Sequence, residues 1–214
     1  MSRDLDRGAD AAPLPPDPWD PLVRISHWLI AGVVLVNGLL SKPGGNLHVW
    51  LGWVALGTLA VRLIWGLVGP SEARFSAFLP DPAGALRHLR DLLRGRPSEY
   101  PSHNPAGAIM VYALWGCLAI VVATGLVMTD MKSPVTIAED RAAVAAGDWS
   151  VLVDDSETAE SDHEGEGIVA ELHELAANLM LLLAMVHVGG VVIESRALRR
   201  NLVRPMLTGR GKMK

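Results

Sequence analysis

The segment LHELAANLMLLLAMVHV, residues 172–188, decides how this chain is read. It is an apolar run suited to lipid, yet it carries a histidine near each end, His173 and His187. At ~1.5 Å per residue these lie roughly 21 Å apart along a helix, and fourteen steps of ~100° bring the second side chain back to within about 40° of the first. Both imidazoles therefore face nearly one side of one helix, each toward a different membrane surface. A histidine inside a membrane is costly unless it faces protein and finds a partner there.

The composition agrees with a membrane setting. Half of the 214 residues are hydrophobic and only 20% are charged, which is low for a soluble domain of this length. The net charge of -4 says little, because the charges are unevenly placed. The single cysteine, Cys117, excludes an internal disulfide, C-x-x-C-H haem attachment and a four-cysteine metal site. It reads as a buried, inert thiol. Residues 1–20, MSRDLDRGADAAPLPPDPWD, lack the apolar core and cleavage site of a signal peptide and are expected to form a disordered tail. Residues 21–210 are expected to form one membrane domain, followed by a 211–214 tail.

Four apolar segments are each near the ~20 residues a helix needs to span the hydrocarbon layer. They run over roughly 22–41, 47–69, 105–128 and 168–193. Strands are a poor alternative, because the runs are long and do not alternate. The fold class predicted is an all-α, integral membrane four-helix bundle. Arginines crowd the 70–104 connection (Arg74, Arg87, Arg90, Arg94, Arg96) and the tail after the fourth span (Arg196, Arg199, Arg200, Arg204, Arg210). The other two connections hold only Lys42, and Lys132 with Arg141. The positive-inside rule then puts both termini and the 70–104 loop in the cytoplasm.

Two connections have character of their own. DPAGALRHLRDLLRG, 81–95, has leucines at helical spacing among arginines and reads either as a helix on the inner membrane surface or as a plain solvated one. The outer loop, 130–166, contains eleven acidic residues and two basic ones. Its end, DDSETAESDHEGEGI, is expected to be disordered.

Depth sorts the histidines of the spans into two layers. His27, near the start of span one, shares the inner layer with His187. His48, near the outer end of span two, shares the outer layer with His173. Helix–helix hydrogen bonds are one use for such residues. A second is bis-imidazole ligation of haem iron, since two neutral nitrogens from facing helices suit its axial positions. With both positions filled, electron transfer is favoured over oxygen chemistry. Without covalent attachment the haems would be b-type, and two stacked layers would form a transmembrane electron wire. Zinc is a weaker rival, because four histidines split into two distant pairs make poor tetrahedral sites.

Other residues fit around this scheme. Gly52, one turn below His48, and Gly189 with Gly190 would let a flat macrocycle or another helix approach the backbone. Arg62 lies fourteen residues after His48, at the inner depth. A buried arginine needs an anion, which a haem propionate would supply; the alternative is snorkelling to the surface. His103, opening HNPAGA, reads as a cap at a helix start set by Asn104 and Pro105, or as lining a quinone pocket beside the inner layer. His88 and His163 are expected to be solvated. Trp28, Trp50 and Trp65 read as interfacial anchors.

Taken as a set and in order, WDPLVRISHW, LHVWLGW, RLIWGLVGP, HNPAGA, LHELAANL, HVGGV and NLVRPMLTG resemble the bacterial cytochrome b561 family, which includes cytochrome b subunits of nickel-iron hydrogenases. The similarity spans roughly 17–129 and 167–210. The resemblance implies a multi-pass protein of the bacterial inner membrane with two haem b groups and a quinone as substrate or exchangeable cofactor. Its ligand pattern falls on His27, His48, His173 and His187. Members pass electrons between an outer partner and the membrane quinone pool; some oxidise superoxide and reduce ubiquinone, and others serve hydrogenase. The long acidic loop sets this chain apart. It should repel superoxide, an anion, and steer a basic periplasmic c-type cytochrome. The alternative for the loop is a solvated linker folded away from the outer layer, and a non-redox bundle without haem is a further alternative. No nucleic-acid partner is expected.

Overall fold

The computed structural model describes residues 20–96, 98, 100, 103–152 and 163–209. Four long helices dominate: α1 (Pro21–Leu39), α2 (Asn46–Val68), α4 (Pro105–Val127) and α6 (His163–Ala197). Shorter helices join or follow them: α3 (Pro82–Leu93), α5 (Pro134–Ala145) and α7 (Val203–Thr208). No strand occurs among the described residues. Of the tail expected over 1–20, residues 1–19 lie outside the described residues and Asp20 is the cap of α1; the 211–214 tail, 153–162 of the acidic loop and the side chain of His163 also lie outside them.

The sequence marks where these helices begin. Four of them place proline in the first turn, just after a capping side chain. Asp20 accepts from the Leu22 N–H, Asp81 from Gly84, Asn104 from Gly107 and Ser133 from Thr136. Proline there lacks only an N–H that would be orphaned anyway, and the cap oxygen satisfies another. Asn104, rather than His103, therefore caps α4.

All four long helices are long and apolar enough to cross a membrane, and no more than 28% of any apolar window is buried. The side chains left outside include Ile25, Leu35, Val61, Ile64, Leu182, Met185 and Ile193. Such a surface is stable in lipid and not in water. The small core lies mid-bundle, where Val33 and Val34, Ala55 and Leu59, Cys117, Leu118 and Val122, and Met180 meet. α4 packs most extensively on α6, and α1 on α2.

At ~1.5 Å per residue, the 35 residues of α6 extend roughly 52 Å, well beyond a ~30 Å hydrocarbon layer. It begins at His163, so the expected disorder does not reach residues 163–168. The acidic loop also differs from a bare linker, because its first half is α5. Arg141 of α5 donates to the Gly44 carbonyl and to Asn46 Oδ1, fastening α5 over the α1–α2 turn.

At the opposite end, α3 lies against α4 with Gly84, Ala85 and His88 buried. The expectation of a solvated His88 is wrong: this side of α3 is the one it packs with. α7 folds back on α1, where its Met206 and Leu207 carbonyls accept from Trp28 Nε1 and Arg24. Trp28 is thus held by protein as well as sitting near a helix end.

Candidate metal centres

α6 contributes one histidine to each end of the bundle, as its fourteen-residue spacing requires. The His27 and His187 rings stand with centroids 6.2 Å apart, joining α1 to α6. The His48 and His173 rings stand 6.1 Å apart, joining α2 to α6. Neither pair is joined by a direct hydrogen bond among the described residues. Two imidazole–metal bonds of ~2 Å on opposite sides of one ion, with about 1.2 Å from each nitrogen to its ring centre, separate centroids by roughly 6.4 Å. Both pairs have nearly that spacing. No group of three or more His, Cys, Asp or Glu side chains suited to a metal occurs among the described residues, so the histidines come in twos.

The pair at the α5 end is anchored by hydroxyls. Thr124 Oγ1, on α4, lies 2.9 Å from His173 Nδ1. Ser41 Oγ, just after α1, lies 3.4 Å from His48 Nδ1 and also reaches the Asn37 carbonyl and Oδ1. Asn37 in turn donates from Nδ2 to the His48 carbonyl at 3.1 Å. Next to Thr124 is Gly125, where an added Cβ would lie 3.4 Å from His173 Cε1. A side-chain carbon there would meet the imidazole in ordinary contact. The sequence reading passed over Thr124 and Ser41. Their signal was a hydroxyl within, or just beyond, an otherwise apolar run.

The pair at the α3 end has different surroundings. The His27 ring meets Trp28 edge-on at 5.3 Å and His187 at 6.2 Å, and neither imidazole has a hydrogen bond among the described residues. Arg62 is buried and does not snorkel. Two of its N–H groups donate to the Ala73 carbonyl at 3.3 Å, and its guanidinium lies 5.7 Å from the centre of the Phe75 ring. The Asp20 carboxylate is near enough to act on it electrostatically. Phe75 in turn fills the space beside Gly66, where a Cβ would collide with its ring.

The His103 ring lies against Phe78, with centres 4.4 Å apart and planes tilted by 43°. Burial, followed by the charges of Arg62, His187 and His27, pushes its pKa down to about 4. It is therefore neutral at pH 7 and lies within electrostatic reach of the α3-end pair, while the capping role falls to Asn104. Gly52, Gly189 and Gly190 have nothing within 4 Å of an added Cβ. Close helix packing therefore does not explain them.

A second cluster at this end was not foreseen. His88 Nε2 of α3 lies 3.7 Å from Glu194 Oε1 of α6, and Asn104 Nδ2 donates to Glu194 Oε2 at 2.6 Å. One carboxylate thus clamps α3, the start of α4 and the end of α6 together. Glu194 was visible only as a lone acid closing an apolar run, and its partner is distant in sequence.

Comparison with known proteins gives one match. The sequence model of the prokaryotic cytochrome b561 family matches residues 18–209. No curated protein and no solved structure matches the chain.

Proposed function

The chain belongs to the prokaryotic cytochrome b561 family, whose members carry electrons across membranes on haem b, and we propose that it does so through two haems, one at each histidine pair. His27 and His187 would hold one and His48 and His173 the other. When bound, each haem would supply a one-electron carrier. The observation that carries this reading is the pair of ring spacings, 6.2 and 6.1 Å, which suits one metal ion between each two imidazoles. Open space beside Gly52, Gly189 and Gly190 supports it, because a flat macrocycle needs a bare backbone to lie against. Arg62 fits the role of partner to a propionate at the α3 end: two of its five N–H groups go to Ala73, and further donors remain.

The arginines of the 70–104 connection and of the C-terminal segment favour the α3 end as cytoplasmic and the α5 end as periplasmic, in the inner membrane. Quinone would exchange electrons beside the α3-end pair, with neutral His103 lining its site. The outer partner would be a soluble basic haem protein such as a c-type cytochrome. α5 supports this choice because it is docked two residues from His48. The two cations of this region are also paired, Lys132, just before α5, with Asp140 at 3.3 Å and Arg141 with the α1–α2 turn. The remaining carboxylates leave that end negative, which suits a cation and repels superoxide.

The test is a reduced-minus-oxidised spectrum of the purified chain with haem quantified. Two low-spin b-type haems per chain are expected. One haem would make one pair structural, and none, with haem supplied in excess during expression, would overturn the reading.

A further inference from the structure

The two histidine pairs differ in what stands behind them. We infer that Thr124 is a positioning residue for His173, and that its hydrogen bond makes the haem at the α5 end the lower-potential one of the two. The inference rests on the haem ligation proposed above.

The argument begins with one proton. A threonine hydroxyl has a single hydrogen to give. Thr124 Oγ1 lies 2.7 Å from the Ile120 carbonyl and 3.1 Å from that of Val121, and a carbonyl can only accept. The hydroxyl hydrogen is therefore committed to the α4 backbone. The 2.9 Å contact with His173 must then be a bond in which Nδ1–H donates to Oγ1. This fixes the tautomer: Nδ1 carries the hydrogen, and Nε2 keeps a free lone pair for a metal. Ser41 repeats the arrangement on His48 at 3.4 Å, its own hydrogen being taken by Asn37.

An imidazole that donates from its far nitrogen to an oxygen acceptor becomes a more basic ligand at its near nitrogen. A more basic ligand stabilises ferric iron over ferrous iron and lowers the reduction potential. The pair at the α3 end has no such bond among the described residues. The difference in hydrogen bonding between the two ends separates the potentials. Electrons arriving at the α5 end then run downhill toward the α3 end.

Thr124→Val keeps the size and branching of the side chain and removes the hydroxyl acceptor, leaving His173 the Val121 carbonyl. Thr124→Ser restores the hydroxyl. Redox titration of the detergent-purified full chain, followed at the haem bands, should resolve two components in the wild type. Repeating the titration in a His187→Ala background assigns the component of the α5 end; if that background does not accumulate, His48→Ala assigns the other by difference. In Thr124→Val the lower component should rise, with the ferrous-to-ferric ratio at fixed potential changing about tenfold, or ~59 mV for one electron. The upper component should stay in place, and Thr124→Ser should return the lower one. An unshifted lower component, an equal shift of both, or assignment of the lower potential to the α3 end would overturn the inference. Loss of the α5-end haem in Thr124→Val, without recovery in Thr124→Ser, would overturn it also. Absence of haem from the wild-type chain would instead fell the ligation reading beneath it.

Discussion

α3 and α5 are built to the same plan and put to different uses. Each has twelve residues, and each opens on a capping side chain followed by proline between two long helices. α3 packs with its smallest residues, Gly84 and Ala85, and leaves Leu86, Leu89 and Leu93 exposed beside Arg87, Arg90 and Arg94. Leucines at i, i+3 and i+7 beside cations suit a helix lying at an anionic lipid surface. α5 has no such stripe, and its one cation, Arg141, bonds to the α1–α2 turn. One end is dressed for lipid headgroups and the other for water. The histidine pairs follow the same division, since among the described residues hydroxyls back the pair at the α5 end and not the other.

The sharpest way to break this comparison is to remove one ligand from each end. His187→Ala is expected to abolish haem binding at the α3 end and leave the α5 end occupied. His48→Ala should do the reverse. Haem per chain should fall from two to one in each variant, with the remaining potential differing between them. If both variants kept the same haem, or either lost the haem of the opposite end, the pairing of α6 with α1 and α2 would be wrong.

Next in size is the clamp that holds α3. Glu194→Ala leaves buried His88 and the Asn104 amide without their carboxylate. A buried polar group stripped of its partner costs about 1–3 kcal/mol, so α3 should loosen from the bundle. Faster tryptic cleavage after Arg90 and Arg94 in membranes would report it, with the spectrum of the α5-end haem unchanged. Cleavage at the wild-type rate would mean that packing of Gly84 and Ala85 alone holds α3.

His103 makes a pH-dependent comparison between the ends. Its folded pKa of about 4 lies below the ordinary value of 6.5, so the unfolded chain binds this proton first as pH falls. Stability from this group is full above pH 6.5, declines between 6.5 and 4, and changes no further below. The loss approaches roughly 3 kcal/mol. His103→Gln should flatten that part of the pH profile of thermal unfolding in detergent, while Ser41→Ala at the other end should not. A profile unchanged by His103→Gln would place the acid sensitivity elsewhere.

How far the sequence reveals all this depends on the distance over which each signal acts. The four long helices were legible because a ~30 Å hydrocarbon layer imposes a length and composition on every crossing segment. The histidine pairs were legible because the helical period converts fourteen residues into one face and two depths. α5 was hidden, because the acidic count of its loop masked a short helix that packs on α2 and bonds to the α1–α2 turn, 95 and 97 residues away. His88 was misread for a related reason. Arginines flank it at positions 87 and 90, but a helix separates adjacent residues by ~100°, so it can face the bundle while they face out. Thr124 and Glu194 act on partners 49 and 90 residues away, and no local pattern reports such contacts.

The smallest expected effect concerns the charge of the α5 end. Glu139 and Asp148 are exposed there. The Ser150 side chain and backbone N–H both donate to Asp148, holding its carboxyl below the usual carboxylate range, so it stays charged at any physiological pH. Surface charges act over about 10 Å at 0.1 M salt, and they change the rate of encounter more than the strength of a bound complex. Glu139→Gln with Asp148→Asn should therefore slow electron exchange with a basic c-type cytochrome a few-fold at low salt and leave it unchanged at high salt. Neutralising Arg87, exposed at the other end, should alter neither rate. Stopped-flow rates across a salt series decide the matter. If Arg87→Gln changed the rate and the acidic pair did not, the soluble partner would dock at the α3 end, and the division of the molecule into a lipid-facing end and a partner-facing end would have to be reversed.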